Sequence, residues 1–343
     1  MTLKEMVLMD LVRLGRTNIE VNKNGFGALP IQRISQAATS QLLRKAFENG
    51  VDFFDTARAY SDSEEKIGAT FGDERKSIYI ATKTGAKEAK TFWLHLEQSL
   101  KNMKTDYIDI YQFHNPPFVP MPGGEDGLYD AMLEAKSQGK IKFIGITNHK
   151  LHLAKEAVLS GLYDTLQFPF SYLAGEHDAE IVRLCEEHDV GFIAMKGLSG
   201  GLISDSALAY AYLNQFKNVL PIWGIQKESE LDEFLSYQNQ PPALNQARLA
   251  KIEDEKQQLA GNFCRACGYC LPCPANIDIP QAARMSLLLR RAVAANFLTE
   301  RAQQEMARIE DCIHCGHCTD NCPYDLDTPQ LLKENYEDFK TFL

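Results

Sequence analysis

No segment of this chain carries the run of about 20 apolar residues that a bilayer-spanning helix needs. Its greasiest stretch in the C-terminal third, MSLLLRRAVAANFL, is broken by Arg290 and Arg291. The opening residues, MTLKEMVLMDLVRLGR, have neither the sustained apolar core nor the small-residue cleavage site of a secretory signal, so a cytoplasmic protein is expected. There is no Lys/Arg run and no basic helix face, and a net charge of −10 would repel phosphate backbones and anionic lipid. Nucleic acid and membrane partners are therefore not expected. Also missing is a GxGxxG turn behind an early strand, the mark of an open, doubly wound dinucleotide-binding sheet.

What is present is a chain of 343 residues, 45% apolar and 24% charged, the make-up of a folded protein and the length of one large domain plus a smaller one. Of its nine cysteines, eight lie in two tight groups after residue 263, and Cys185 stands alone on a helical pattern. Grouped cysteines in an intracellular chain point to metal or redox chemistry rather than to a disulfide framework. Cys185 is expected to be a buried structural thiol.

Apolar runs and turn signals alternate as strand and helix eight times before residue 240. The strands fall at Gly25–Leu29, Asp52–Thr56, Ser77–Lys83, Ile108–His114, Lys142–Asn148, Thr165–Phe170, Gly191–Gly197 and Val219–Ile225. Amphipathic segments such as SQLLRKAFENG and GLYDAMLEAKSQGK lie between them. Eight such units imply an α/β fold, a closed (β/α)8 TIM barrel whose chemistry sits at the carboxyl ends of the strands. Before the first strand, two short strands around Gly15 to Asn18 read as a hairpin plugging the barrel floor. After the eighth helix, PPALNQARLAKIEDEKQQLAG opens on a proline pair and closes on Gly261, the punctuation of one helix. The expected division is a barrel at 1–240, a linking helix at 241–262, and a small, mainly helical domain at 263–343.

Four polar residues stand at or just beyond consecutive strand ends: Asp55 and Tyr60, Lys83, and His114. Carbonyl reduction needs an acid that protonates the oxygen, and a phenol is a poor donor unless tuned. A buried Lys83 beside Tyr60 would favour the phenolate, Asp55 would hold Lys83 charged, and His114 would orient the carbonyl. Each residue alone also has an ordinary structural reading, as cap, strand-end charge, satisfied polar group or packing.

The segments LGRTNIEVNKNGFGA, FFDTARAYSDSEEKIG, IATKTG, DIYQFHNP, GKIKFIGITN and LQFPF resemble the aldo/keto reductase family over about residues 10–240. That resemblance implies the catalytic tetrad Asp55, Tyr60, Lys83 and His114. It also implies that Asn148 and Gln167 hold the amide of a nicotinamide from NAD(P)H. Departures begin at the seventh strand. Met195, Lys196, Gly197 and Leu198 replace the family's common aromatic and Ser-Pro-Leu. After the eighth, Gly224 is kept, but Gln226 stands where an Arg often binds phosphate and Phe234 where an Asn often meets adenine. Lys196 and Lys227 are the remaining phosphate candidates, and NADH and NADPH are both open.

In the C-terminal part, CIHCGHCTDNCP carries Cys312, Cys315, Cys318 and Cys322 in the ferredoxin spacing C-x2-C-x2-C-x3-C-P. The other group, CRACGYCLPCP, carries Cys264, Cys267, Cys270 and Cys273 with one residue fewer before its last cysteine. Two [4Fe–4S] clusters are expected. In two-cluster ferredoxins the fourth cysteine of each run serves the other cluster, which would group Cys264, Cys267 and Cys270 with Cys322, and Cys312, Cys315 and Cys318 with Cys273. Zinc would want its thiolates as two separate pairs; His314 and His317 read as spacers. The helical stretch between the motifs resembles helical ferredoxins. The whole chain resembles the aldo/keto reductase subgroup with an appended ferredoxin-like domain.

The expected function is reversible reduction of a small-molecule carbonyl, or oxidation of the alcohol, by hydride transfer with Tyr60 as proton donor, the clusters passing electrons or serving structure. A redox protein such as a ferredoxin is a further expected partner. Two alternatives stand beside it: an electron-transfer or redox-sensing protein on a catalytically retired barrel, and a flavin-coupled reductase fed by the clusters, since flavin tolerates one-electron steps that nicotinamide does not.

Overall fold

The computed structural model describes residues 11–259, 263–291 and 294–343. The leader reading at residues 1–10, the Gly261 end of the linking helix and residues 292–293 of the apolar stretch lie outside the described residues. By internal packing the chain forms two units, one of residues up to Gly197 with Ala207–Asn245, the other of Leu198–Ser206 with Gln246–Leu343. Among the described residues no helix is long and apolar enough to cross a membrane.

In the first unit, β1 (Leu11–Arg13) and β2 (Glu20–Asn22) pair antiparallel. Gly15 in their turn has φ +50°, and a Cβ there would fall 2.4 Å from Asp189 O, so only glycine fits. Eight parallel strands follow: β3 (Gly25–Gly27), β4 (Phe53–Asp55), β5 (Tyr79–Thr84), β6 (Ile108–His114), β7 (Ile141–Thr147), β8 (Thr165–Pro169), β9 (Gly191–Met195) and β10 (Val219–Gly224). They close in chain order, with β10 bonded to β3. Strands such as β6, IDIYQFH, are buried along nearly their whole length, which is why they read as apolar runs rather than alternations. Between them lie α1 (Gln36–Glu48), α2 (Ser63–Phe71), α3 (Ala89–Asn102), α4 (Leu128–Ser137), α5 (Leu151–Leu159), α6 (Glu176–Glu187), α7 (Ser206–Asn214) and α8 (Glu228–Asn239). Helix α3 buries Phe92, Leu96, Ser99 and Leu100 at helical spacing, and a side chain like Phe92 contributes about 1.5–3 kcal/mol. Inside the strands, Val12, Leu14, Ile19 and Val21 of the hairpin pack on Phe53, Ala81, Ile110, Ile193 and Leu220. The hairpin is thus the floor plug, and it leaves the opposite strand ends for chemistry.

The second unit contains α9 (Gln246–Gln258), α10 (Ile279–Ala282), α11 (Met285–Arg291), α12 (Glu300–Ala307), α13 (His317–Asp320) and α14 (Thr328–Lys340). The segment Leu198–Ser206, which the sequence reading assigned to the barrel, groups here because side chains of this unit hold it. Arg284 and Arg291 donate to Gly200 O and Leu202 O, and Lys251 pairs with Asp205 at 2.6 Å. The unit is built on an internal repeat that the sequence reading did not notice: CPANIDIPQ at 273–281 and CPYDLDTPQ at 322–330. In each copy an Asp caps the next helix, Asp278 accepting from Gln281 N and Asp327 from Gln330 N, with Pro in the first turn. The apolar residue before each cap, Ile277 and Leu326, enters the core with Met285, Leu289, Met306, Leu332, Phe339 and the thiols of Cys264, Cys270 and Cys318.

Candidate functional site

Period-2 geometry puts Phe53 and Asp55 of β4 on one face of the strand. Phe53 belongs to the floor and Asp55 rises above it. Lys83, from β5, is 0% exposed and Asp55 3%. The Lys83 Nζ donates to Asp55 Oδ1 at 2.7 Å, to Oδ2 at 2.8 Å and to Thr56 O at 2.6 Å. An ammonium has three protons, so all three are engaged. Burial drives the Asp55 carboxyl up and the Lys83 ammonium down, each opposed by the other's charge.

Tyr60 comes from the turn between β4 and α2, which is held by Tyr60 N to Ala57 O, Ser63 N to Tyr60 O, and Ser63 Oγ to Ala28 O. Lys83 Nζ lies 5.4 Å from the Tyr60 ring centre. His114, the last residue of β6, meets the same ring edge-on at 5.9 Å. The structure therefore gathers all four tetrad candidates, with Tyr60 and His114 half-buried above the buried ion pair. Burial, and secondarily the charge of Lys83, push the His114 pKa down to about 3, so its ring is neutral at ordinary pH.

Below the pair lies a layer that sequence reasoning missed. Gln112 Nε2 donates to Gln167 Oε1 at 2.9 Å, Thr147 Oγ1 reaches both glutamines at 3.3 and 3.4 Å, and Gln167 Nε2 donates to Asp55 Oδ2 at 3.4 Å. Gly145 makes room for it, since a Cβ there would sit 2.8 Å from Gln112 Cγ and 2.5 Å from Thr165 Oγ1. The available signal was that Gln112 stands two residues before His114, on the same strand face.

The nicotinamide candidates divide. Asn148 is fully buried at the end of β7, donating to Pro116 O and accepting from Lys150 N; an amide has a second N–H and a second lone pair, so it fits a carboxamide ligand. Gln167 already accepts from Gln112 and Thr147 and donates to Asp55. Met195 and Lys196 are half-buried, and Lys196 has φ +58°. Gly197 is buried where a Cβ would strike the Trp223 ring at 2.7 Å, so its smallness serves packing. Leu198 groups with the second unit. Gly224 and Lys227 are exposed. At the start of α8, the Gln226 and Lys227 N–H groups both donate to Glu230 Oε2, at 2.9 and 3.0 Å. Phe234 is buried and stacked on Trp223 at 4.4 Å.

The cysteines line two adjoining cavities. One is lined by Cys264, Cys267, Cys270, Cys318 and Cys322. The other is lined by Cys270, Cys273, Cys312, Cys315 and Cys318, so Cys322 joins the first group and Cys273 the second, while Cys270 and Cys318 face both. Thiols ringing a space of this kind, drawn from both motifs, fit a cubane better than a lone zinc, whose ligands converge on a point. Burial pushes the thiols of Cys264 and Cys318 up and that of Cys270 to about 12; such groups become thiolates when metal compensates the charge. Cys185 is buried in α6, its thiol likewise raised by burial.

A model of the aldo/keto reductase family matches residues 23–208, and a 4Fe-4S dicluster domain model matches residues 263–327. The uncharacterized oxidoreductase YqkF of Bacillus subtilis is 28% identical over 213 residues, 58% of this chain and 68% of that protein. L-galactose dehydrogenase of Arabidopsis thaliana is 28% identical over 228 residues, 61% of this chain and 69% of that one. The aldo-keto reductase of Klebsiella pneumoniae, solved in complex with NADPH, shares the fold at a TM-score of 0.63 and 19% identity, over 72% of this chain and 95% of its own. The chain therefore belongs to the aldo/keto reductase family, as an oxidoreductase whose barrel sequence is followed by a 4Fe–4S dicluster domain.

Proposed function

We propose that this oxidoreductase reversibly reduces a small-molecule carbonyl, with Tyr60 as the proton donor. The observation that carries the reading is the Lys83 ammonium, sealed from solvent, bound through all three protons to Asp55 and Thr56, and 5.4 Å from the Tyr60 ring. Lys83 has no proton to spare for a substrate, so it acts by its charge, which favours the phenolate that Tyr60 becomes on donating. His114, neutral, donates a ring N–H to the carbonyl oxygen as negative charge develops there. Gln167 and Gln112 hold Asp55 in place beneath.

A bound nicotinamide would supply the hydride. Asn148 fits its carboxamide end. The start of α8 does not offer a second phosphate site, because the Glu230 carboxylate already takes the Gln226 and Lys227 amides. NADH is accordingly the preferred form. No observation favours the flavin-coupled alternative. The [4Fe–4S] groups, held by the two crossed cysteine sets, supply one-electron chemistry, and the exposed Cys315 edge suits exchange with a redox protein.

The test is anaerobic assay of NADH-dependent reduction over a panel of aldehydes and ketones. Tyr60→Phe should lower kcat by about 10²–10⁴-fold while nicotinamide binding and iron content hold. Near-normal turnover in that variant would remove Tyr60 from the mechanism, and the retired-barrel reading predicts no turnover in the parent protein at all.

A further inference from the structure

The repeat in the cluster domain runs three residues beyond Gln281 and Gln330, ending on Arg284 in one copy and Lys333 in the other. Each half thus sends one cation to the same place in its fold, and the two are treated differently. Arg284 is 8% exposed. Its hydrogen bonds among the described residues end on neutral carbonyls, Pro280 O at 2.8 Å and Gly200 O. Its electrostatic neighbours are the Cys264 thiol and, after it, the exposed carboxylate of Asp278. Lys333 is exposed, on a groove it shares with Cys312 and His314. A further cation, Arg265, lines the cavity of the Cys264 set, whereas no Lys or Arg lines that of the Cys312 set.

A buried cation that no carboxylate hydrogen-bonds among the described residues is costly, unless an anion assembled later offsets it. A cluster held by four thiolates is such an anion, and its negative charge grows by one when it is reduced. A cation in the low-dielectric interior favours that step far more than one in water, where the field is screened. We infer that Arg284 makes the Cys264, Cys267, Cys270 and Cys322 set the first of the two to accept an electron, while Lys333 does little for the Cys312, Cys315, Cys318 and Cys273 set. The step takes one electron from a low-potential one-electron donor; no bond forms or breaks and no proton moves. Exposure of Cys315 works in the opposite direction, since water also stabilises added charge, but it does so without a full charge. Cys270 and Cys318 touch both cavities, so an electron taken up on the Cys315 side runs over a short distance to the Cys264 side.

The inference rests on the crossed ligand sets, and the experiment separates the two ideas. Anaerobic holoprotein is titrated with dithionite under potentiometric control and followed by EPR, with Cys315→Ser assigning the signals. In the parent protein, the signal that survives Cys315→Ser should be the first reduced. Arg284→Gln keeps donors for both carbonyls and removes the charge. It should lower the reduction equilibrium of that cluster about tenfold, ~59 mV for one electron, with iron and sulfide unchanged. Arg284→Lys should restore most of it, and Lys333→Gln should shift the other cluster by less. Reduction of the Cys315 cluster first, or potentials unmoved by Arg284→Gln, would overturn the inference. Should Arg284→Gln lose its iron, the order of reduction in the parent protein decides. If Cys322→Ser perturbs the same signal as Cys315→Ser, the ligand crossing fails while the effect of Arg284 on its neighbour still stands or falls by its own shift.

Discussion

In the barrel, Lys83 is sealed from solvent, and its charge is met by Asp55 with the remaining proton on Thr56 O. In the cluster domain, Arg284 is nearly as deep, yet its hydrogen bonds go to neutral carbonyls. Seven residues on, the half-buried Arg291 does have a carboxylate, Glu255, at 2.7 Å, so the domain is able to pair an arginine and leaves Arg284 to something else. The two cores differ in the same way. The barrel floor is closed by aliphatic and aromatic side chains, whereas the core of the second unit includes three thiols that burial disfavours as thiolates. One region completes itself from its own residues, and the other is complete once metal is added.

The largest expected effect breaks that second region. Removing iron with an oxidant and chelator, or replacing Cys267 or Cys315 by Ala, should unfold the cluster domain, since ligation supplies folding free energy to a small metal-bound unit. Both tryptophans, Trp93 and Trp223, lie in the barrel, so their fluorescence transition should keep its midpoint while helical signal and protease resistance of residues 263–343 are lost. An apo-protein that resists protease as the holoprotein does would erase the contrast. Next in size, Asp55→Asn strands Lys83 and should cost the barrel about 3–5 kcal/mol, read from the same fluorescence in urea. Adding Lys83→Met should recover much of that loss, although activity stays abolished in both variants.

The eight strands, the hairpin and the cysteine spacing were legible because each is a local pattern: apolar runs, a Gly turn, ligands two residues apart. Asp55, Tyr60, Lys83 and His114 stood at strand ends, which a barrel must bring together, and the resemblance to the aldo/keto reductases singled them out. What escaped were partnerships across long chain separations. Nothing near Gly200 announces that Arg284 will hold its carbonyl, and Leu198–Ser206 was read with the barrel because it follows a barrel strand. Gln112 and Thr147 carry no signal of their own in the sequence, since a buried polar layer differs from an apolar one only through bonds that the fold creates. The Cys-Pro-x-x-Ile/Leu-Asp-x-Pro-Gln repeat is present in the letters, but each copy begins inside a cysteine motif, at Cys273 and Cys322, and merges with it.

A smaller effect sharpens the comparison from the barrel side, through pH. His114 is held neutral in the fold, with its pKa down to about 3, while an unfolded His titrates near 6.5. Between those values the unfolded chain binds the extra proton, so stability falls as pH falls from about 6.5 toward 3. Above about 6.5 both states are neutral and the contribution is flat. A full proton difference gives about 1.4 kcal/mol per pH unit, and a half-buried ring at the mouth should show a fraction of that. His114→Asn should flatten the urea midpoint between about pH 5 and 6.5, before most carboxylates titrate. An unchanged slope would mean that His114 titrates in the fold as it does in the unfolded chain, and the effect of its burial would be lost.

The smallest effect concerns the start of α8, where this chain departs from its family. The Oε2 of Glu230 accepts from Gln226 N at 2.9 Å and from Lys227 N at 3.0 Å, so the helix N-terminus, a natural anion site, is filled by the chain's own carboxylate. A 2′-phosphate brought to this place would lose the two amides and face a like charge. Glu230→Gln keeps a carbonyl oxygen to accept both N–H groups and removes only the charge, so the helix should remain capped. At a partly exposed helix end that charge is worth about 1 kcal/mol, or about fivefold in an equilibrium. The KM for NADPH should therefore fall about fivefold in Glu230→Gln while that for NADH stays put, with Lys227 left as the cation nearest the freed site. Equal changes for the two cofactors, or a parent protein that already prefers NADPH, would show that the phosphate is bound elsewhere and that Glu230 is a helix cap alone.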